Sequence, residues 1–110
     1  MSDQAAQVMP VVVVLPGEID VTNSDEVLQQ LVGALSPGVD TVIADLTSTS
    51  FCDSSGVHAL VHAYERASAR EIELRLAVAP GGSVRRVLQL VGADQIMPVF
   101  GSVPEAIQGA

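Results

Sequence analysis

Short apolar stretches alternate with segments of helical periodicity along most of the chain, and this alternation limits the folds that it can adopt. Residues 8–15 form a β-branched run that predicts a buried strand, Pro16-Gly17 turns the chain, and residues 18–21 predict a second strand antiparallel to the first. From there the pattern indicates the order β-β-α-β-α-β-α-β-α. We therefore expect an α/β domain with a mixed sheet of four or five strands and about four helices.

Local signals mark where the predicted helices begin. Asn23 followed by Glu26 has the spacing of a capping box at the first helix, and Ser102 followed by Glu105 has it at the last. The second helix is predicted from about Ser55. Its apolar face follows i, i+3, i+4, i+7 spacing and consists of Val57, Leu60, Val61, Tyr64 and Ala67.

The remaining segments complete the pattern. Residues 41–46 are typical of a buried strand, and residues 71–79 alternate apolar and charged side chains as a half-buried strand does. Gly81-Gly82-Ser83 predicts a turn and the start of the third helix, which Gly92 is expected to end. Residues 96–100 predict a short strand at a sheet edge, because the proline within them has no N–H to donate.

The net charge of −8 restricts the partners that the chain can bind. It has five arginines and no lysine, and so acidic a domain is poorly suited to nucleic acid or to anionic lipid. An apolar content of 48% is enough for the core of one domain. Residues 11–15, the longest apolar run near the N-terminus, are too short to span a bilayer, and residues 1–10 lack a signal-peptide pattern. With Cys52 as the single cysteine, we expect a soluble protein of the reducing cytoplasm.

Residues 51–57, Phe-Cys-Asp-Ser-Ser-Gly-Val, place an acid, two hydroxyls and a glycine where a strand is predicted to meet the second helix. The first N–H groups of a helix lack helical acceptors, and the helix dipole favours negative charge there. A hydroxyl at this position can therefore carry a phosphate without unfolding the domain. This segment is the main candidate functional site.

With these elements placed, the chain resembles the STAS domain and, within that family, the stand-alone anti-sigma factor antagonists. The resemblance covers residues 8–107, and its most specific part is Asp53-Ser54-Ser55-Gly56. The supporting segments are Gly17-Glu18-Ile19-Asp20, Asp45-Leu46, Phe51-Cys52, Val87-Leu88-Gln89-Leu90-Val91-Gly92 and Ser102-Val103-Pro104-Glu105-Ala106-Ile107.

The resemblance implies a non-enzymatic binding module that needs no cofactor. In that family the second hydroxyl of the motif, Ser55 by position, is phosphorylated by an anti-sigma factor that is itself a GHKL-type serine kinase. The unphosphorylated form binds this kinase and frees the sigma factor, phosphorylation ends the binding, and a phosphatase restores it. We accordingly expect one STAS domain over residues 1–110, acting in transcription regulation such as a stress response, with residues 1–7 disordered.

Each residue of the motif also has a purely structural interpretation. Serine and aspartate are common helix N-cap residues, so Ser55 could be a cap, and Asp53 could cap the helix or contact the partner. Ser54 is the second choice as phosphate acceptor. The resemblance also places the loop with Glu18 and Asp20 near the phosphorylation site, although these acids could simply belong to a solvated turn. The expected partner-binding residues are Glu18, Asp20, Asp53, Ser54, Gly56 and His58.

Other chemistries have weaker support. His58 and His62 stand at i, i+4 on the predicted exposed face of the second helix, a spacing that can bind zinc, but no further ligands appear at metal-site spacing. Ser55 lacks the orienting acid and nucleophile elbow of a hydrolase. Cys52 is most simply a small apolar core residue, and a redox role requires that it be exposed with a stabilised thiolate. His58 also departs from the family, where small residues such as glycine are frequent, and we expect this departure to bear on partner choice.

The alternative function is a STAS subunit that does not switch. Such a subunit could be part of a stress-signalling scaffold or of a membrane transport complex, with the same fold and the same Asp53-Ser54-Ser55-Gly56 region. Because no transmembrane segment is expected, a transport role requires a separate membrane partner.

Overall fold

A computed structural model describes residues 10–109, which form four α-helices and six short strands. In chain order the elements are β1 Val11–Val14, β2 Glu18–Ile19, α1 Ser24–Gly33, β3 Thr41–Leu46, β4 Phe51–Cys52, α2 Ser54–Ala69, β5 Glu73–Val78, α3 Ser83–Leu90, a 3₁₀ turn Ala93–Gln95, β6 Val99–Phe100 and α4 Val103–Gln108. The α/β class and the four helices predicted from the sequence are confirmed. The residues expected to be disordered, 1–7, and the first two residues of the predicted first strand lie outside the described part.

The main sheet has the strand order β1-β3-β5-β6, and each neighbouring pair is parallel. One face of this sheet packs against α1, α2 and α3 and forms the larger core. The buried side chains of that core include Val27, Leu31, Val42, Ala44, Leu46, Leu60, Leu74, Leu76, Val84 and Leu88. The amphipathic helices therefore direct their apolar faces to one side of the sheet.

The opposite face of the sheet is partly covered by α4. Ile43 on β3, Ala77 on β5 and Ala106 on α4 are fully buried together. Strand β5 was predicted to be buried on one face only, and this is wrong at its C-terminal end because α4 packs on the second face.

The second strand does not pair with the first. We predicted an antiparallel β1–β2 pair in a mixed sheet, but β2 pairs in parallel with β4, and every strand pair within residues 10–109 is parallel. The turn explains the difference, since its carbonyl groups are bound by a distant loop. Thr49 Oγ1 donates to the carbonyl of Pro16 at 2.8 Å, and the Ser50 amide donates to the carbonyl of Gly17 at 2.8 Å.

The two predicted capping boxes have different outcomes. At α4 the prediction is confirmed, because Ser102 Oγ accepts from the Glu105 amide at 3.2 Å and Glu105 Oε1 accepts from the Gly101 amide at 3.1 Å. At α1 it is wrong, because the Asn23 side chain makes no bond to the helix amides. It instead accepts from the Asp20 amide at 2.9 Å and donates to the carbonyl of Glu18 at 2.8 Å.

The last strand is shorter than predicted. Only Val99–Phe100 pairs, beside β5, while residues 93–95 form a 3₁₀ turn and Met97 is buried in the core. The proline before the strand still contributes its carbonyl, because the Leu76 amide donates to Pro98 at 2.9 Å. The predicted end of the third helix at Gly92 is confirmed by its left-handed backbone, with φ of 77°.

The start of α2 lies directly on the β2–β4 pair. A Cβ atom added to Gly56 would be 2.5 Å from Cys52 Sγ and 2.8 Å from Ile19 Cγ2, and both of these side chains are buried. Such distances are far below van der Waals contact. Glycine at this position therefore lets the helix approach the two strands closely and fixes where the candidate site begins.

We expect Gly56→Ala to lower the free energy of unfolding by about 1–3 kcal/mol, because the new methyl group overpacks the contact with Cys52 and Ile19. The matched control is Gly33→Ala at the end of α1, where an added Cβ meets nothing within 4 Å. This control should be neutral or stabilising by up to about 1 kcal/mol, as helix propensity predicts. Urea unfolding of both variants measures the difference, and equal stability of the two would contradict the close-packing argument.

Candidate functional site

The candidate site lies where β2 and β4 end. Because these strands pair in parallel, with Glu18 beside Phe51 and Ile19 beside Cys52, their carboxyl ends meet at the same edge. The next residues in register are Asp20 and Asp53, and the Asp53 amide donates to the carbonyl of Ile19 at 3.1 Å. The structure therefore brings together the backbone segments that carry two of the acids that the sequence singled out.

Asp53 is the N-cap residue of α2. Its backbone is extended, and its Oδ1 atom accepts from the Ser55 amide at 2.9 Å and from the Gly56 amide at 3.2 Å. The Val57 amide donates to the Asp53 carbonyl at 3.0 Å. The sequence predicted that the positive end of the helix dipole could stabilise a phosphate. In the structure the Asp53 carboxylate already lies at this end, and the amides of residues 55 to 57 are not free.

The two serines of the motif differ in exposure. Ser54 is the first residue of α2 and is exposed, whereas Ser55 is half-buried. Neither hydroxyl makes a hydrogen bond within the part of the chain that the structure describes. Ser55 lines a cleft of about 270 Å³ between α1 and α2, together with Ser24, Asp25, Leu28, His58, Ala59 and His62.

Asp20 is held in the turn before α1. Its Oδ1 atom accepts from the Thr22 hydroxyl at 2.5 Å and from the Thr22 amide at 2.9 Å. The bond from the Thr22 hydroxyl, followed by that from the Thr22 amide, lowers the pKa of Asp20 below its usual value. Asp20 is therefore ionised at neutral pH, and one of its carboxylate oxygens is engaged locally.

Two exposed apolar side chains beside these acids were not among the expected partner-binding residues. Val21 is 75% exposed and Phe51 is 48% exposed, and Phe51 pairs in register with the exposed Glu18. The alternation of Phe51 with the buried Cys52 in a two-residue strand is too short a pattern to reveal this exposure. An exposed apolar side chain thus follows Asp20 in the chain, and another pairs with Glu18.

Cys52 is a core residue. It is buried against Gly56, and burial, followed by the charge of Asp53, raises the pKa of its thiol to about 11. The thiol is therefore neutral at physiological pH. The exposure and thiolate stabilisation that a redox role requires are both missing at this position.

The two histidines of α2 are exposed, with ring centroids 6.0 Å apart, and His62 Nδ1 lies 3.7 Å from Glu65 Oε1. Within residues 10–109 no three His, Cys, Asp or Glu side chains come together in a group that could hold a metal ion.

The glycine-rich turn before α3 helps to hold the loop that leads into β4. The N-cap position is Gly82, and the Ser83 hydroxyl does not cap the helix but donates to the carbonyl of Ser50 at 2.6 Å. This bond joins α3 to the loop that precedes β4. The role of Ser83 depends on a residue 33 positions away, so local sequence patterns could not reveal it.

Within the described part of the chain, no helix has the length and apolar character that crossing a membrane requires.

Comparison with known proteins gives consistent matches over nearly the whole chain. Residues 3–106 match the model of the STAS domain. An anti-sigma factor antagonist from Mycobacterium paratuberculosis is 23% identical, with a TM-score of 0.79 over 89% of this chain and 82% of that one. The anti-sigma factor antagonist SpoIIAA, in its unphosphorylated form, is 28% identical, with a TM-score of 0.72 over 92% of this chain and 87% of that one.

Domains of transport proteins share the same fold. The STAS domain of a SulP transporter from Vibrio cholerae is 17% identical, with a TM-score of 0.74 over 98% of this chain and 91% of that one. Fold likeness alone thus does not separate the two kinds of protein. The family-model match, the parallel sheet with its four helices and the helix-capping Asp53-Ser54-Ser55-Gly56 motif together show that this chain belongs to the STAS domain family.

Proposed function

We propose that this protein is an anti-sigma factor antagonist controlled by phosphorylation of Ser55. In its unphosphorylated form it binds a GHKL-type anti-sigma factor kinase in the cytoplasm and so releases the sigma factor. Transfer of a phosphoryl group from the kinase's ATP to Ser55 ends the binding, and a phosphatase reverses the change. The observation that carries this proposal is a partly exposed serine hydroxyl, free of hydrogen bonds within residues 10–109, on the rigid first turn of α2.

The rigidity of the site supports a switch that acts through charge. Asp53 caps α2, and Gly56 seats the same turn on the β2–β4 pair, so the serine is presented in a fixed position. A kinase can bind such a surface without reordering it, and little conformational entropy is lost.

The charge that phosphorylation adds is large for this surface. A phosphoserine carries about −1.5 to −2 charges at pH 7. Asp53 caps the same turn, Asp20 lies beside it, and Asp25 lines the cleft with Ser55. A partner complementary to the neutral hydroxyl would have to desolvate this dianion, and a loss of about 3 kcal/mol weakens binding more than a hundredfold.

The partner-binding surface that we propose includes Glu18, Asp20, Asp53, Ser54, Gly56 and His58. Their support is their position: Glu18 lies in β2, Asp20 directly follows that strand, and the others lie at the start of α2 or cap it. Gly56 is buried, so it contributes by shaping this surface and not by direct contact.

A second candidate function has a specific observation in its favour. The fold likeness to the SulP transporter domain supports a subunit of a membrane transport complex or of a signalling scaffold, in which the serine motif is only a helix cap. The two functions differ in their partners and in whether Ser55 is modified.

Recovery of bound proteins distinguishes these two functions. We expect the tagged chain, expressed in its native cells, to retain a GHKL-type kinase and to release it after incubation with ATP. The Ser55→Ala variant should retain the same kinase in the presence of ATP. Recovery of a permease, or of a large assembly of STAS proteins without a kinase, would support the alternative function instead.

The phosphorylation site is tested with the recovered kinase. Ser55→Ala should bind with unchanged affinity and take up no phosphate, whereas Ser55→Glu should bind at least about tenfold more weakly because it places a charge in the interface. The matched control is Ser54→Ala, which should still be phosphorylated. Mass spectrometry and calorimetry measure these outcomes, and normal phosphate stoichiometry in Ser55→Ala would move the site to Ser54, the more exposed hydroxyl.

Two variants of Asp53 separate its capping role from its role in partner binding. Asn caps helices about as well as Asp, so Asp53→Asn should change the free energy of unfolding little, whereas Asp53→Ala should lower it by about 1 kcal/mol. If the carboxylate also contacts the kinase, Asp53→Asn should bind more weakly. If a stable Asp53→Asn variant binds the kinase with unchanged affinity, the carboxylate of Asp53 does not contact the kinase and its role is to cap the helix.

A further inference from the structure

We propose that His58 binds the phosphate carried by Ser55, so that the phosphorylated form of the domain responds to pH near neutrality. This inference rests on the phosphorylation proposed above. It concerns the side chain of this domain that contacts the phosphate once Ser55 carries it. That contact does not depend on which anti-sigma factor is the partner.

The first observation is the position of the two side chains. Ser55 and His58 are three residues apart on α2 and line the same cleft against α1. Side chains at i and i+3 of a helix are neighbours, with Cβ atoms about 5–6 Å apart. A phosphate on the serine oxygen extends that side chain into the cleft beside the imidazole.

The second observation is that three amides of the helix start, those of residues 55 to 57, are already engaged. The Ser55, Gly56 and Val57 amides all donate to Asp53. A phosphate at Ser55 therefore cannot use them unless it displaces the capping carboxylate. The amide of Ser54 is the one helix-start donor without an acceptor in the described residues, and it carries no full charge. A protonated imidazole supplies a second N–H together with a positive charge.

The third observation is the scarcity of cations. The chain has no lysine, and none of its five arginines lines the cleft. Arg70 donates to the carbonyl of Leu35, and Arg75 is paired with Glu73, so both are committed elsewhere. Among the described residues, the basic side chains that line this cleft are His58 and His62.

Between the two histidines, the geometry favours His58. His62 is seven residues from Ser55, about 10 Å along the helix axis, and it lies near Glu65. The ring centroid of His62 lies 6.0 Å from that of His58. The charged groups to consider are Asp25, which lines the same cleft from α1, and Asp53, which caps the start of α2. Both acids are present before and after phosphorylation, so a comparison of the two forms isolates the effect of the phosphate.

The direction of the pH effect follows from the charges. A phosphate dianion favours the protonated imidazole, so phosphorylation should move the titration midpoint of His58 upward. The contact then adds stability to the phosphorylated fold below the ordinary midpoint of an unfolded histidine, near 6.5, and this stability is lost as pH rises through the raised midpoint. The phosphate titrates at a lower pH for the same reason.

The experiment uses the full chain with phosphoserine installed at position 55 by genetic encoding, so that it does not depend on any kinase. NMR titration between pH 5 and 8 should show the His58 midpoint raised by about 0.5–1 unit over the unphosphorylated chain, an effect that higher ionic strength reduces. In phosphorus NMR, His58→Gln should raise the pH midpoint of the phosphate titration. The control His62→Gln should shift this midpoint much less.

Two results would overturn the inference: an identical His58 midpoint in both forms, or a phosphate midpoint insensitive to His58→Gln. Either result leaves the proposed function intact, because the kinase recognises the unmodified hydroxyl. Conversely, failure of a kinase to modify Ser55 would refute the proposed function while the encoded phosphoserine still reports on His58.

Discussion

The contact of Gly56 with Cys52 and Ile19 is the constraint on which the site depends. Strands β2 and β4 have two residues each and are separate from the main sheet, so they need a third element to cover their inner side chains. The start of α2 supplies it, and only a residue without a Cβ can approach so closely. This packing fixes the distance between the first turn of α2 and the two strands, and therefore the position of both serines.

The carboxylate of Asp53 then determines what the helix start can do. By accepting two amide hydrogen bonds it stabilises α2, but it also occupies the donors that usually attract a phosphate to a helix end. A phosphate at Ser55 would have to be tolerated beside this carboxylate. The capped helix start therefore favours a phosphorylation that changes partner binding and does not rearrange the domain itself.

Features that depend on nearby residues could be predicted from the sequence, and features that depend on distant ones could not. The Ser102 capping box and the left-handed Gly92 are local, and both are found in the structure. The predicted apolar face of α2 is also local and faces the core, although Val61 and Tyr64 on it are only half-buried. The partner of β2 was missed because the carbonyls of the preceding turn bind residues 33 positions later. Phosphorylation and partner contacts remain predictions, since they involve molecules other than this chain.

The groups around the helix start also determine which charges can change near neutral pH. The lowered pKa of Asp20 keeps that carboxylate ionised, and the raised pKa of Cys52, about 11, keeps the thiol neutral. Neither group therefore changes its charge in the physiological range. Phosphate has a second pKa of about 6, so a phosphorylated Ser55 would change its charge near neutral pH beside the imidazole of His58. The net charge is −8 and no arginine lines the cleft. Protonation of one imidazole therefore changes the charge of the cleft by a large fraction.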